Sequence, residues 1–190
     1  MELLEKRILK DGKVGAGEVL KVDSFLNHQI DVDFLYQLGE EFYHLYKDCG
    51  VNKVLTIEAS GIGIATLTTQ FFHCPLVFAK KTKTNNIYGD VYTSKVDSYT
   101  HGTTYDIVVS KQFLLPTDRV LIIDDFLAKG SALNALISLV KDAGATVVGA
   151  GIVIEKAYQP GGKLIRDMGI RVESLARIAS MSVEDGIRFC

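Results

Sequence analysis

Between residues 51 and 156, short continuous apolar runs alternate with segments of helical spacing, and this alternation narrows the possible folds more than any other feature. VNKVLTIEAS, LVFAKK (76–81), RVLIIDDF (119–126) and TVVGAGIVIEK (146–156) read as strands. Residues 62–72 and 130–143 read as helices between them. Upstream, residues 31–49 place Phe34, Leu35, Leu38, Phe42, Leu45 and Tyr46 at helical spacing, and Gly50 is a plausible stop. Strands such as VLII and VVGAGIVI carry no polar alternation, so both of their faces must be covered. The expectation is one α/β domain over residues 1–190, an open parallel sheet with helices on both faces.

One segment breaks the rhythm. Residues 80–111 hold only short apolar runs among Thr, Ser, Tyr, Asn and Lys, and IYGDVYTSKV and TTYDIVVSK alternate like an antiparallel pair. Long polar excursions from a compact core tend to cover sites, so residues 82–111 are expected to form a flexible antiparallel lid.

Charge and cysteine usage exclude several classes. Lys and Arg total 21 against 23 for Asp and Glu, a net charge of −2, without the basic excess of a nucleic-acid binder. Cys49, Cys74 and Cys190 are odd in number and contain no C-x-x-C pair, which disfavours a disulfide framework or a zinc site. MELLEKRILKDGK lacks the apolar stretch of a signal peptide, and no run approaches the ~18 apolar residues of a membrane span. His28, His44, His73 and His101 show no ligand spacing. A cytoplasmic protein with no metal site of its own, no nucleic-acid partner and no membrane is expected.

In open parallel sheets, ligands bind outside the carboxyl ends of the strands. The sharpest such end is VLIIDDFLAKGSALNALISLV. Four apolar residues run into Asp124 and Asp125, then a short turn, then Gly130-Ser131-Ala132 opening a helix. Backbone N–H groups and the Ser131 hydroxyl would face an anion there, with two acids beside it. A second end, Glu58-Ala59-Ser60-Gly61, sets small residues before a helix; alone, it is equally well read as a tight β–α turn. It is not the dinucleotide fingerprint, because Thr66 stands where Gly or Ala is needed, and no G-x-x-x-x-G-K-[ST] occurs in the chain. A third, Phe78-Ala79-Lys80-Lys81, ends in a lysine pair that by itself reads as a solvated edge.

The order of four apolar residues, two acids, short loop and small-residue helix start resembles the PRPP-binding motif of the type I phosphoribosyltransferases. The chain departs from the commonest form by carrying Ala128-Lys129-Gly130 where Thr-Gly-Gly is usual. The resemblance implies that Asp124 and Asp125 contact the ribose hydroxyls and act in catalysis. It implies that Ala128, Lys129, Gly130, Ser131 and Ala132 cradle the 5′-phosphate. Ser60, Gly61 and Lys81 would face the diphosphate. GEVLKVDSFLNHQIDVDFL and GIVIEKAYQPGG are similar to the bacterial members of the family that use xanthine. That similarity implies a base-binding hood from residues 1–30 and 156–190, with Leu20, Asn27 and Lys156 contacting the base. It further implies PRPP and xanthine as substrates, Mg2+ held mainly by the substrate, and a homodimer. The alternatives are another purine base, or a PRPP-sensing regulator on the same fold. A regulator needs a DNA-binding domain or a basic face; the first helix is expected at residue 1 or 2, and the charge is −2.

Overall fold

The structure, a computed structural model, describes residues 1–81, 89–98 and 103–190. In chain order it contains α1 (Glu2–Asp11), β1 (Lys13–Gly15), β2 (Val19–Lys21) and a π-helical turn (Asp23–Asn27). Then come α2 (Val32–Tyr46), a 3-10 turn (Lys47–Cys49), β3 (Lys53–Ile57), α3 (Gly61–Phe72) and β4 (Leu76–Ala79). β5 (Val91–Ser98), β6 (Thr103–Ser110), β7 (Arg119–Leu127) and α4 (Ser131–Asp142) follow. β8 (Thr146–Lys156), α5 (Gly161–Asp167), β9 (Val172–Ser182) and β10 (Gly186–Phe189) complete the chain.

The central sheet has six strands in the order β10-β9-β8-β7-β3-β4. All neighbours pair parallel except β10, which returns antiparallel on β9. Along β7 the side chains alternate between two cores, as the pleat requires. Leu121 and Ile123 pack with Phe34, Leu35, Leu38 and Phe42 of α2 and Ile64 of α3. Val120 and Ile122 pack with Leu133, Leu136, Ile137 and Val140 of α4. Helices therefore cover both faces, as expected from the unbroken apolar strands.

The ends of α2 follow from its sequence. The Asp31 carboxylate caps its start by accepting from the Phe34 N–H at 3.1 Å. Gly50 takes the left-handed conformation (φ +66°) just past its 3-10 extension, as the stop signal predicts. Arg7 of α1 binds Asp31 at 2.9 Å and lies over the rings of Phe25 and Phe34, so the N-terminal segment is fastened to the main body.

One expectation needs revision. β9 pairs with β8 from Ala150↔Val172 to Lys156↔Ile178, so residues 172–182 lengthen the central sheet and do not stand apart as hood. β7 runs through Leu127, with Asp124↔Ile152 and Leu127↔Glu155 in register, so the two acids lie within the strand, as the 119–126 reading expects. The eleven-residue β8 supplies pairing partners well beyond the end of β3. The antiparallel excursion is present as the β5–β6 pair, from Val91↔Ser110 to Ser98↔Thr103. Residues 82–88 and 99–102 of the expected lid lie outside the described residues.

Candidate active site

The paired acids set the geometry. Asp124 is 5% exposed and Asp125 6%, and the Asp125 N–H donates to Asp124 Oδ1 at 3.0 Å. Successive strand residues point to opposite sides of the pleat, and the two carboxylates have different neighbours. Asp125 Oδ2 accepts from the Asn27 amide at 3.0 Å, at the end of the π-helical turn. Asp124 Oδ1 lies 3.1 Å from where a side chain on Gly61 would begin, at the first residue of α3. Burial, reinforced by the charge of Asp125, raises the Asp124 carboxyl well above the usual range, while Lys81 pulls it down.

Close approach explains the glycine at position 61. A Cβ there would stand 2.1 Å from Thr56 Oγ1, inside any tolerable contact. Thr56 is fully buried and its hydroxyl has no hydrogen-bond partner. The turn before α3 is joined to the neighbouring strand end. Glu58 N–H donates to the Ala79 carbonyl at 3.1 Å, and Glu58 Oε1 accepts from the Lys81 N–H at 2.6 Å. The Lys81 ammonium lies 5.7 Å from the Tyr105 ring centre. The second and third strand ends therefore meet around Asp124.

A cleft of about 520 Å³ opens just past the acids along β7, where Phe126 and Leu127 form part of its wall. Its walls include Ala128, Lys129, Gly130, Ser131 and Ala132, with Lys156, Val96, Asp97, Tyr105 and the turn Gly17–Val19. Gly130 (φ +88°) supplies the left-handed residue that turns β7 into α4. Lys156 is half-buried; its ammonium donates to the Glu18 carbonyl at 2.7 Å. Burial lowers its pKa, with the Glu18 charge opposing.

The structure thus brings Ala128–Ala132, Lys156 and the Gly17–Val19 turn together in one cleft, with Asn27, Gly61 and Lys81 around the acid pair and Ser60 directly before Gly61. Leu20 differs: it is packed inward with Val22, Phe25 and Leu26, and its side chain does not line the cleft. An alternating strand, Val19-Leu20-Lys21, buries only its middle residue. Sequence reasoning missed Tyr105, which lines the cleft and feels the Asp124 charge after burial in raising its own pKa. It also missed the Glu18 carbonyl, since a backbone acceptor leaves no side-chain signal. Among the described residues, no three His, Cys, Asp or Glu groups converge as a metal site, and no helix is long and apolar enough to cross a membrane.

Comparison with known proteins agrees with this arrangement. The phosphoribosyl transferase domain family matches residues 35–173. The chain is 58% identical over 186 residues to a xanthine phosphoribosyltransferase of Lachnoclostridium phytofermentans, covering 98% of this chain and 96% of that protein. It is 52% identical over 181 residues to one of Ruminiclostridium cellulolyticum, covering 95% of each. The crystal structure of an adenine phosphoribosyltransferase from Trypanosoma brucei shares the fold with a TM-score of 0.78 at 19% identity, covering 96% of this chain and 83% of that one. With the family match spanning residues 35–173 and relatives above 50% identity along nearly the whole chain, the chain belongs to the phosphoribosyl transferase domain family.

Proposed function

We propose that the protein transfers the 5-phosphoribosyl group from PRPP to xanthine, giving xanthosine 5′-monophosphate and pyrophosphate in purine salvage. The observation that carries this reading is the single cleft lined by both the Ala128–Ala132 loop and Lys156, with Phe126, the residue after the buried acid pair, in its wall. The shared name of the relatives supports xanthine as the base.

Ala128–Ala132 offers backbone N–H groups and the Ser131 hydroxyl to the 5′-phosphate. Asp124 and Asp125 face the ribose hydroxyls, and Ser60, Gly61 and Lys81 face the diphosphate. In the transition state positive charge grows on the ribose ring. Burial opposes ionisation of Asp124, and a cationic ring favours it, so the acid pair holds the transition state more strongly than the ground state. Lys156, with donors only, suits an oxo group at purine position 6, and Asn27 reads the other edge. Leu20 acts from beneath, as packing for the hood. β5 and β6, which bring Val96, Asp97 and Tyr105 to the cleft, serve as the closing element that excludes water.

Mg2+ would neutralise the diphosphate. The two buried carboxylates, with no third ligand converging on them among the described residues, fit an ion that stays mostly hydrated and is held by the substrate. A homodimer follows from the family resemblance, and three free cysteines suit the reducing cytoplasm.

The test is steady-state kcat/KM for xanthine, guanine, hypoxanthine and adenine at fixed PRPP and Mg2+. Xanthine should rank first and adenine last. A preference for adenine would overturn the base assignment. Loss of turnover in a folded variant carrying Asp124→Asn and Asp125→Asn is expected, and undiminished turnover would remove the acids from the mechanism.

A further inference from the structure

Glu155 is the most deeply buried carboxylate among the described residues, 1% exposed, and the reaction as proposed does not use it. It lies directly before Lys156 at the end of β8. Arg166 of α5 grips it through two parallel bonds of 2.8 Å. The Ser174 hydroxyl donates to it at 2.6 Å, and Arg177 Nε stands 3.3 Å away. Burial pushes its carboxyl up, but Arg166 and Ser174 outweigh that and hold it below the usual range. A bidentate guanidinium fixes direction as well as charge.

The first residues of α5 reach the other way. The Gly161 N–H donates to the Ala128 carbonyl at 3.0 Å. A Cβ on Gly161 would stand 2.4 Å from that oxygen and 2.6 Å from Gly130 N, while one on Gly162 would stand 2.0 Å from Glu155 Oε1. One glycine therefore abuts the loop and the next abuts the carboxylate, with no space between.

Resting on the reading that Ala128–Ala132 holds a 5′-phosphate, we propose that the Glu155–Arg166 pair is a positioning device for that loop, acting through Gly161–Gly162 as a rigid spacer. It touches no substrate. Its signature is selective: PRPP and the nucleoside monophosphate carry the 5′-phosphate, whereas the free base and pyrophosphate do not.

The experiment compares Glu155→Gln and Arg166→Lys with the unmutated protein in both reaction directions, folding being followed by circular dichroism. Ser174→Ala, which removes one bond and leaves the ion pair, serves if both fail to fold. KM for PRPP and for the monophosphate should rise about tenfold, the scale expected when a binding group is displaced by a fraction of an ångström. KM for base and pyrophosphate should stay within about twofold. Equal rises in all four, or a lowered Tm with every KM unchanged, would overturn the device. Absence of turnover in the unmutated protein is the separate failure of the proposed activity. In that event ribose 5-phosphate binding by calorimetry decides: it should weaken in Glu155→Gln, and unchanged affinity rejects the proposal.

Discussion

Asn27 Nδ2 lies 3.0 Å from Asp125 Oδ2, joining two residues 98 positions apart in the chain. The Asp23–Asn27 turn and the acid pair are thus parts of one hydrogen-bonded unit. The bond commits one amide hydrogen of Asn27 and leaves its carbonyl and second N–H for a base edge. Asn27→Ala should mainly erode discrimination between xanthine and guanine, which differ at the edge Asn27 is proposed to read. An unpaired buried polar group costs about 1–3 kcal/mol, or roughly 5- to 150-fold. Ratios of kcat/KM for xanthine, guanine and hypoxanthine measure it. An equal fall for all three would make Asn27 a brace for Asp125 with no part in base choice.

Lys156→Met should weaken use of every 6-oxopurine and leave KM for PRPP nearly unchanged. Because burial lowers the pKa of this amine below its usual 10.5, its charge is lost earlier than an exposed lysine's as pH rises. The unmutated protein should therefore show a KM increase for the base on the alkaline side, below pH 10.5. Dividing its profile by that of Lys156→Met cancels the titration of the base itself. A flat ratio would detach the charge of Lys156 from base binding.

Asp124 should limit stability while serving catalysis. Its folded pKa is raised above the ordinary 3.8, so the folded state binds a proton that the unfolded chain releases. Its favourable contribution is fully present below about pH 3.8 and is lost as pH rises through the folded value. Asp124→Asn should accordingly melt higher than the unmutated protein at pH 7, by about 2–4 °C for each kcal/mol relieved, and the two should converge near pH 4. Turnover should drop in the same variant. A Tm difference independent of pH would assign the effect to something other than ionisation.

Gly61→Ala should be damaging twice over. The new methyl would meet Thr56 Oγ1 at 2.1 Å and Asp124 Oδ1 at 3.1 Å, and overpacking of this kind costs about 1–3 kcal/mol. Adding Thr56→Ala removes the nearer clash and should recover most of the lost Tm. Persistence of the full defect in the double variant, measured by thermal melting, would mean the α3 entrance is limited by backbone conformation and not by space.

Local chemistry made much of this fold legible. Continuous apolar runs located β3, β7 and β8, and the stops at Gly50 and Gly144 follow from left-handed glycines after helices. The position of the Ala128–Ala132 loop was legible for the same reason, since acids and small residues next to an apolar strand form a local pattern. Long-range pairing was not. Glu155 and Arg166 are eleven positions apart, and nothing in their immediate neighbours indicates that one is buried beneath the other. Residues 172–182 read no more like hood than like sheet until β8 is known to extend far enough to pair with them. Leu20 shows the converse limit: apolar character marks burial, and the facing side is decided by strand phase.

The Lys156–Glu18 bond bears on residence time. The same ammonium that is proposed to receive the base also fastens the β1–β2 turn across the cleft at 2.7 Å. An ammonium has three donors, so it can serve both partners at once, and on the proposed reading a nucleotide product under that turn would leave only as the bond opens. Release would then be timed by the hood's own opening, and a shorter or looser turn at Gly17-Glu18 would speed departure without altering the chemical step.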